Sequence, residues 1–360
     1  MKSAVSIAVG SLVATFLLLG TAVGAEVFVS DMELTGLAEP PADEAYSNAG
    51  VAGCCGPDDA CCGSVMCCCP LWTVTAGTLI MDRSTPDDAV LVTDALGETL
   101  LDAHELDFDF RGGWEVGAIR HNVWCTCWDV EARYARIDGW RAVRDYVYSP
   151  NGSMVQYAGT PIGSRLPGLV GAVYESHFDS LELNVRQPIG CGALTLLAGF
   201  RFAELDERMS ILRVTAPEAQ ENVATTRVGA INDLYGFQFG ADARMWQRGC
   251  LSLDGKLRAG VYSNRAVNRL VHTQTASPET WACRARHCQT SFLGELGLTG
   301  RCQLSDDWAL TAGYQLMWLE GMALAPDQIA VSDPGAGIAR VDTQGGVFYH
   351  GAVIGLEFRR

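Results

Sequence analysis

From Leu71 onward the chain is written in stretches that alternate apolar and polar residues with a period of two, and this repetition constrains the fold more than any other feature. The stretches are LWTVTAGTLIM (71–81), ELDFDFRGGWEVGAIRH (105–121), TCWDVEARYARI (126–137), LELNVRQ (181–187, beginning near Val170) and ALTLLAGFRF (193–202). LYGFQFGADARMW (234–246), LSLDGKLRAGVY (251–262), SFLGELGLTGR (291–301), WALTAGYQLMWL (308–319) and VFYHGAVIGLEF (347–358) complete a set of ten. Most reach ten residues, against ~5–6 for a strand in a soluble sheet and ~9–11 for one that crosses a membrane on a tilt. Strand length therefore points to a membrane.

The connections agree. Short ones near 122–125, 188–192, 247–250 and 302–307 alternate with long ones near 82–104, 138–168, 203–233, 263–290 and 320–346. Outer-membrane barrels have short turns at one end, long loops at the other and an even strand number. The expected fold is all-β, an antiparallel up-and-down transmembrane β-barrel of about ten strands, with eight or twelve as the neighbouring counts. Trp72, Trp128, Trp246 and Trp308 near the short turns, with Trp140 and Trp318 near the long loops, would supply two aromatic girdles.

Alternation alone does not say which face is wet, but a membrane does. If Leu251, Leu253, Leu257, Ala259 and Val261 meet lipid, Asp254, Lys256 and Arg258 must face the lumen. The same parity rule sends Asp129, Glu131, Arg133, Arg186, Arg201, Gln238, Asp242 and Arg244 inward. Mixed charge in so narrow a barrel favours a plug of ion pairs over a solvated channel. Inward glycines at 236, 240, 260 and 313 argue instead for space in the lumen.

The formal charge of −16, from 26 basic and 42 acidic residues, excludes nucleic acid as a partner. Residues 1–25, with Lys2, an apolar run from Ala4 to Gly20 and small residues Val23 and Ala25, read as a signal peptide. Residues 26–70 read as a disordered, Pro- and Cys-rich periplasmic linker, and residues 71–360 as the barrel.

All 14 cysteines are disulfide candidates in an exported chain. Cys54, Cys55, Cys61, Cys62, Cys67, Cys68 and Cys69 crowd the linker with no zinc spacing, so a disulfide knot is expected there ahead of a thiolate metal site. Cys125, Cys127, Cys191, Cys250 and Cys302 fall in or beside the short connections. Cys283 and Cys288, with His287 between them, are read as a short disulfide loop rather than a metal site. No metal or cofactor is expected. In YESHFDS, Glu175, His177 and Asp179 share a parity opposite to Glu182, Asn184 and Arg186, which implies a register break. A hydrolase would need a nucleophile activated by that histidine, and three polar groups adjacent in one strand are more often a bulge or a solvated strand end, so the chain is read as a non-enzyme.

The units DLYGFQFGADARMWQRGCLSLDGKLRAGVYSN and FLGELGLTGRCQLSDDWALTAGYQLMWLEGMALAP, the opening WTVTAGTLIMDR and the closing HGAVIGLEF resemble the outer-membrane beta-barrel porin families of planctomycete-type and Legionella-type bacteria. The resemblance covers about residues 71–360 and departs at the end, where Phe358 is followed by Arg359 and Arg360. It implies a porin-like barrel in the outer membrane with no catalytic residues to carry over. The expectation is a narrow, weakly selective channel for small solutes, with both termini periplasmic and lipid as the surrounding partner. A structural or adhesive envelope barrel is the alternative. Neither reading fixes the oligomeric state.

Overall fold

The computed structural model describes residues 71–123, 126–159, 161–189, 193–215, 222–275 and 277–360, with backbone alone at 277–279. The signal peptide, the linker and the cysteines at 54, 55, 61, 62, 67, 68, 69, 125 and 191 lie outside these residues. In chain order the strands are β1 (Trp72–Arg83), β2 (Val90–Thr93), β3 (Thr99–Asp102), β4 (Arg111–Arg120), β5 (Asp129–Ser149), β6 (Ser153–Val155) and β7 (Ile162–Ser164). Then come β8 (Gly168–Ile189), β9 (Leu194–Thr215), β10 (Asn222–Arg248), β11 (Leu251–Gln274), β12 (Ser277–Gln303), β13 (Trp308–Met322) and β14 (Gly345–Arg359).

Ten of them close a barrel in the order β1-β14-β13-β12-β11-β10-β9-β8-β5-β4, with antiparallel neighbours throughout. The expected all-β barrel and its ten-strand count hold. Strands β2, β3, β6 and β7 form a separate four-stranded sheet in the long connections at one end. We call this the loop end, and the opposite one, with Trp72, Arg359 and the short turns, the turn end.

Strand length departs from expectation. β10 and β12 each run 27 residues, and much of what reads as long loop at 138–168, 203–233 and 263–290 is strand. Its cause is an exchange of faces. On β9 the outward residues begin Leu194, Leu196, Ala198, Phe200 and Phe202, then turn to Glu204, Asp206, Arg208 and Ser210. The inward ones pass from Arg201 to Ala203, Leu205, Met209 and Ile211. The lower part of the wall thus meets lipid, and the upper part stands outside it with a dry core inside.

That core is filled by Met81, Trp140, Phe178, Leu205, Leu234, Met317 and Tyr349 from the wall, and by Leu91, Leu101, Leu106, Val155 and Ile329 from the inserted connections. Inward amides hold the inserted backbone. Asn232 donates from Nδ2 to the Ala323 carbonyl and accepts from the Ala323 N–H, each at 2.8 Å. Asn268 donates to the Arg340 carbonyl at 2.7 Å, and Gln289 to the Gly321 carbonyl at 2.6 Å. These bonds help to satisfy backbone groups of the inserted connection, and the Gly321 carbonyl also accepts from Asn264 and Ser291.

Two expectations are corrected here. Trp140 is not in a girdle: it is fully buried in the core and donates from Nε1 to the Met81 carbonyl at 3.2 Å. A bulge between Ile137 and Trp140, where Gly139 adopts φ +80°, shifts the parity and turns the indole inward. Nor is there a register break between Asp179 and Glu182. The β8–β9 ladder runs unbroken, and Glu175, His177 and Asp179 point outward because they lie above the lipid-facing band.

Candidate functional site

The inward face of the membrane-spanning zone carries the chemistry of this barrel. Glu295 of β12 is completely buried, and three cations from three other strands converge on it. Arg133 of β5 donates from Nη1 at 2.9 Å, Arg201 of β9 from Nη1 at 3.1 Å, and Lys256 of β11 pairs with the same carboxylate. Glu182 of β8 takes Arg133 Nη1 at 3.1 Å and Gln238 Nε2 at 2.7 Å, and faces Arg201 and Arg258 at 3.5 and 3.6 Å.

A second node extends the network toward the turn end. Glu131 accepts from Arg186 at 2.8 Å, Asn184 at 3.0 Å and Arg258 at 3.3 Å, while Asp242 binds the other arms of Arg186 and Arg258 at 2.9 and 3.2 Å. Arg133 also pairs with Glu115 of β4 at 2.7 Å. The five acids Glu115, Glu131, Glu182, Asp242 and Glu295 balance the five bases Arg133, Arg186, Arg201, Lys256 and Arg258. The buried charge is therefore neutral as a set, the condition on which such a cluster is tolerated in a low-dielectric interior.

Each sequence-derived lumen residue has a place. Glu131, Arg133, Arg186, Arg201, Gln238, Asp242, Lys256 and Arg258 belong to this network. Asp254 and Arg244 pair at 3.2 Å in a smaller group with Arg301 and Glu357 nearer the turn end. Asp129 sits apart at the turn, accepting from His121 Nδ1 at 2.9 Å and from the Asn122 N–H at 3.0 Å. Glu182, Glu295 and Arg301 join these groups from outside the inward set read above, and so do Glu115 and Glu357. Both lie on the polar parity of their strands, Glu115 between the glycines of RGGWEVG and Glu357 beside the terminal arginines.

The network spans the bore. Contacts such as Arg133 with Glu295 and Arg258 with Glu131 join opposite walls, and the side chains of Glu295, Glu182 and Arg201 are 0, 2 and 2% exposed. Inward glycines do not open space either: a Cβ at Gly236 or Gly260 would strike the Tyr262 ring or hydroxyl, which is itself buried. Above the network lies the apolar core of the loop end.

Outside the bore, His177 and Asp179 of YESHFDS are linked through Asp138 and Arg136, while Glu175 is engaged apart from them. His177 Nδ1 lies 3.4 Å from Asp138, Glu175 pairs with Arg141 at 3.3 Å, and Asp179 takes the Tyr134 hydroxyl at 2.6 Å. Cys283 and Cys288 lie five residues apart in one strand, Cys283 on the inward parity facing Leu270 across the ladder and Cys288 on the outward parity facing Arg265. Extended backbone holds their Cα atoms ~17 Å apart, so the expected short disulfide loop between them is excluded. At the turn end, Cys302 pairs across the ladder with Leu251, and its thiol reaches that of Cys250.

A family model described as Putative beta barrel porin-7 (BBP7) matches residues 147–336. No curated protein matches the chain. Among solved structures, the outer membrane protease OmpT from Escherichia coli is similar at 8% identity and a TM-score of 0.46, over 80% of this chain and 96% of that one. The translocator domain of the autotransporter NalP from Neisseria meningitidis gives 12% and 0.34, over 80 and 88%. The outer membrane channel DcaP of Acinetobacter baumannii gives 7% and 0.21, over 80 and 96%.

Proposed function

Because this chain belongs to the BBP7 family, and so is a porin-like β-barrel of the outer membrane, we propose that it is a closed barrel: a structural element of the envelope that holds its loop end in place, without a standing pore. One observation carries this reading, the convergence of Arg133, Arg201 and Lys256 on a fully buried Glu295 across the bore. Opening a path would mean separating charges in a dry interior, which costs several kcal/mol per broken pair. Reconstitution in a planar bilayer should give no discrete conductance steps between −100 and +100 mV, a range of ~2.3 kcal/mol per charge on either side. Steps in the unmodified protein would overturn the reading in favour of the channel.

The protein works without catalysis in this account. The carboxylates and imidazole of YESHFDS point outward along one strand, and each is held by its own neighbour rather than aimed at a shared atom.

The turn end faces the periplasm and the loop end the exterior, as short turns and long connections are distributed in such barrels. A membrane-impermeant thiol reagent, applied to intact cells after mild reduction, should label the exposed outward Cys288 and spare Cys250. Labelling of Cys250 at the rate of Cys288 would reverse the orientation.

A further inference from the structure

Above the lipid-facing band, the outward faces of β10, β11 and β12 carry Arg227, Arg265, Arg269, Arg284 and Arg286, all exposed. One acid, Asp233, shares those positions, and no ion pair ties any of the five arginines to a carboxylate among the described residues. This is a concentrated positive surface on a chain of charge −16. The ladder sets Arg269 directly opposite Arg284, and Arg286 opposite Val267. Val267 points outward yet is only 5% exposed, enclosed by Arg286 across the strand and by Arg265 and Arg269 two residues to either side. The Arg284 guanidinium has its pKa lowered by desolvation and by the charges of Arg269, Arg286 and Arg265. Facing like charges weaken a sheet unless something between them carries the opposite sign.

The position of the patch says what that partner is. The apolar band ends on these strands at the row Phe237, Val261 and Phe292, and the arginines continue the same outward parity of the same strands. Arg265 lies four residues beyond Val261 and Arg269 eight beyond it. At ~3.4 Å per residue on strands tilted by ~35–45°, they stand about 10 and about 20 Å above the band's edge. A phospholipid headgroup layer is only ~5–8 Å thick, so the upper arginines lie beyond its reach.

We propose that this face binds a membrane glycolipid whose phosphates are carried on a sugar headgroup. Its acyl chains lie against Phe237, Val261 and Phe292, and its phosphates sit among Arg265, Arg269, Arg284 and Arg286. Planar guanidinium groups suit phosphate oxygens through paired, charge-assisted hydrogen bonds. The outward orientation of the loop end matters only for which leaflet supplies the lipid. In vesicles with the same lipid in both leaflets, binding survives even if that orientation is reversed.

The test uses the full chain refolded into phosphatidylcholine vesicles containing a rough-type lipopolysaccharide, its enzymatically dephosphorylated form, or phosphatidate. Lipid retained after detergent extraction is counted by native mass spectrometry. The phosphorylated glycolipid should be retained about ten-fold more strongly than either alternative, and R265Q/R286Q and R269Q/R284Q should each remove about that factor. R269K/R284K should keep most of it, and R141Q, at an arginine paired with Glu175, should change nothing. Heat-modifiable mobility on gels confirms that each variant is folded. Equal retention of the dephosphorylated lipid, or undiminished retention by the double variants, would overturn the proposal. Phosphatidate held as tightly as the glycolipid would remove the sugar headgroup from it. A dimer lost in the variants, with lipid retention unchanged, would make the face a contact between copies of this chain instead.

Discussion

The same strands build two regions with opposite insides. In the membrane zone of β9, Phe200 and Phe202 face out while Arg201 faces in; a few residues higher, Glu204 and Asp206 face out while Leu205 and Met209 face in. Below, the solvent is hydrocarbon and the interior is a neutral lattice of charges. Above, the solvent is water and the interior is an ordinary apolar core. The comparison teaches that a barrel wall has no intrinsic polarity. Each face takes the character opposite to whatever lies outside, and β9 changes its dress where the membrane ends.

The sharpest way to break the comparison is to treat both interiors alike. Glu295→Ala strands Arg133, Arg201 and Lys256 in a dry bore, and should cost about 3–5 kcal/mol, measured by urea unfolding from vesicles. Phe178→Ala in the upper core should cost a similar amount for a different reason, a cavity, and should be indifferent to salt. A loss under about 1 kcal/mol at Glu295 would mean that water reaches the cluster.

Outer faces offer the next contrast. Leu257→Arg, in hydrocarbon, should lose about 2–4 kcal/mol, whereas Leu212→Arg on the outward upper face of β9 should stay within about 0.5. Equal tolerance at the two sites would erase the boundary between the zones.

Thiols distinguish the two ends. Cys250 and Cys302 should close a disulfide under oxidised glutathione, seen as one linked peptide pair and worth about 2–4 kcal/mol of stability. Cys283 and Cys288 should remain unlinked to each other. A 283–288 bridge in peptide mapping would mean that the upper part of β12 is not a strand.

The smallest effect concerns the loop-end sheet. His104 is pushed above its ordinary 6.5 by its hydrogen bond to Asp102. Burial alone would raise Asp102, but hydrogen bonds from His104 and Ala89 outweigh it and hold the carboxyl below its ordinary 3.8. The raised His104 contributes in full below its ordinary value and loses its contribution as pH rises through the raised one. The lowered Asp102 contributes above its ordinary value and loses its contribution as pH falls through the lowered one. The pair therefore ties the sheet best between about pH 4 and 6.5. An NMR titration should show His104 returning to its ordinary value in D102N, and an unchanged titration would disconnect the two.

Where the wall meets lipid, the sequence could be read closely. Leu251 to Val261 alternate, which gives the inward set from Asp254 to Arg258, and nine further stretches of the same kind give the strand count and the turn positions. Beyond Ser263 the signal fades because Asn264 and Asn268 face in while Arg265 and Arg269 face out, leaving both faces polar. Such a stretch resembles a loop, although its inward amides are holding one. Parity alone puts Trp140 on the wrong face because no parity rule survives a bulge, and Gly139 is the local clue to one. The partners of the charged residues stayed hidden for another reason. Arg133 and Glu295 are 162 positions apart, and no spacing along the chain announces that they meet.

The seam of the ring is a ladder between β1 and β14, in which Thr73 faces Arg359 and Arg83 faces Tyr349. Every other junction in the wall joins strands nearer in sequence, so most of the cylinder can assemble as a growing ribbon of hairpins. The ring itself cannot shut until β14 has been brought back to β1. Contacts of such long separation form slowly. During that interval two long unpaired edges are open to any passing strand, so the barrel's most vulnerable moment comes at the end of its making.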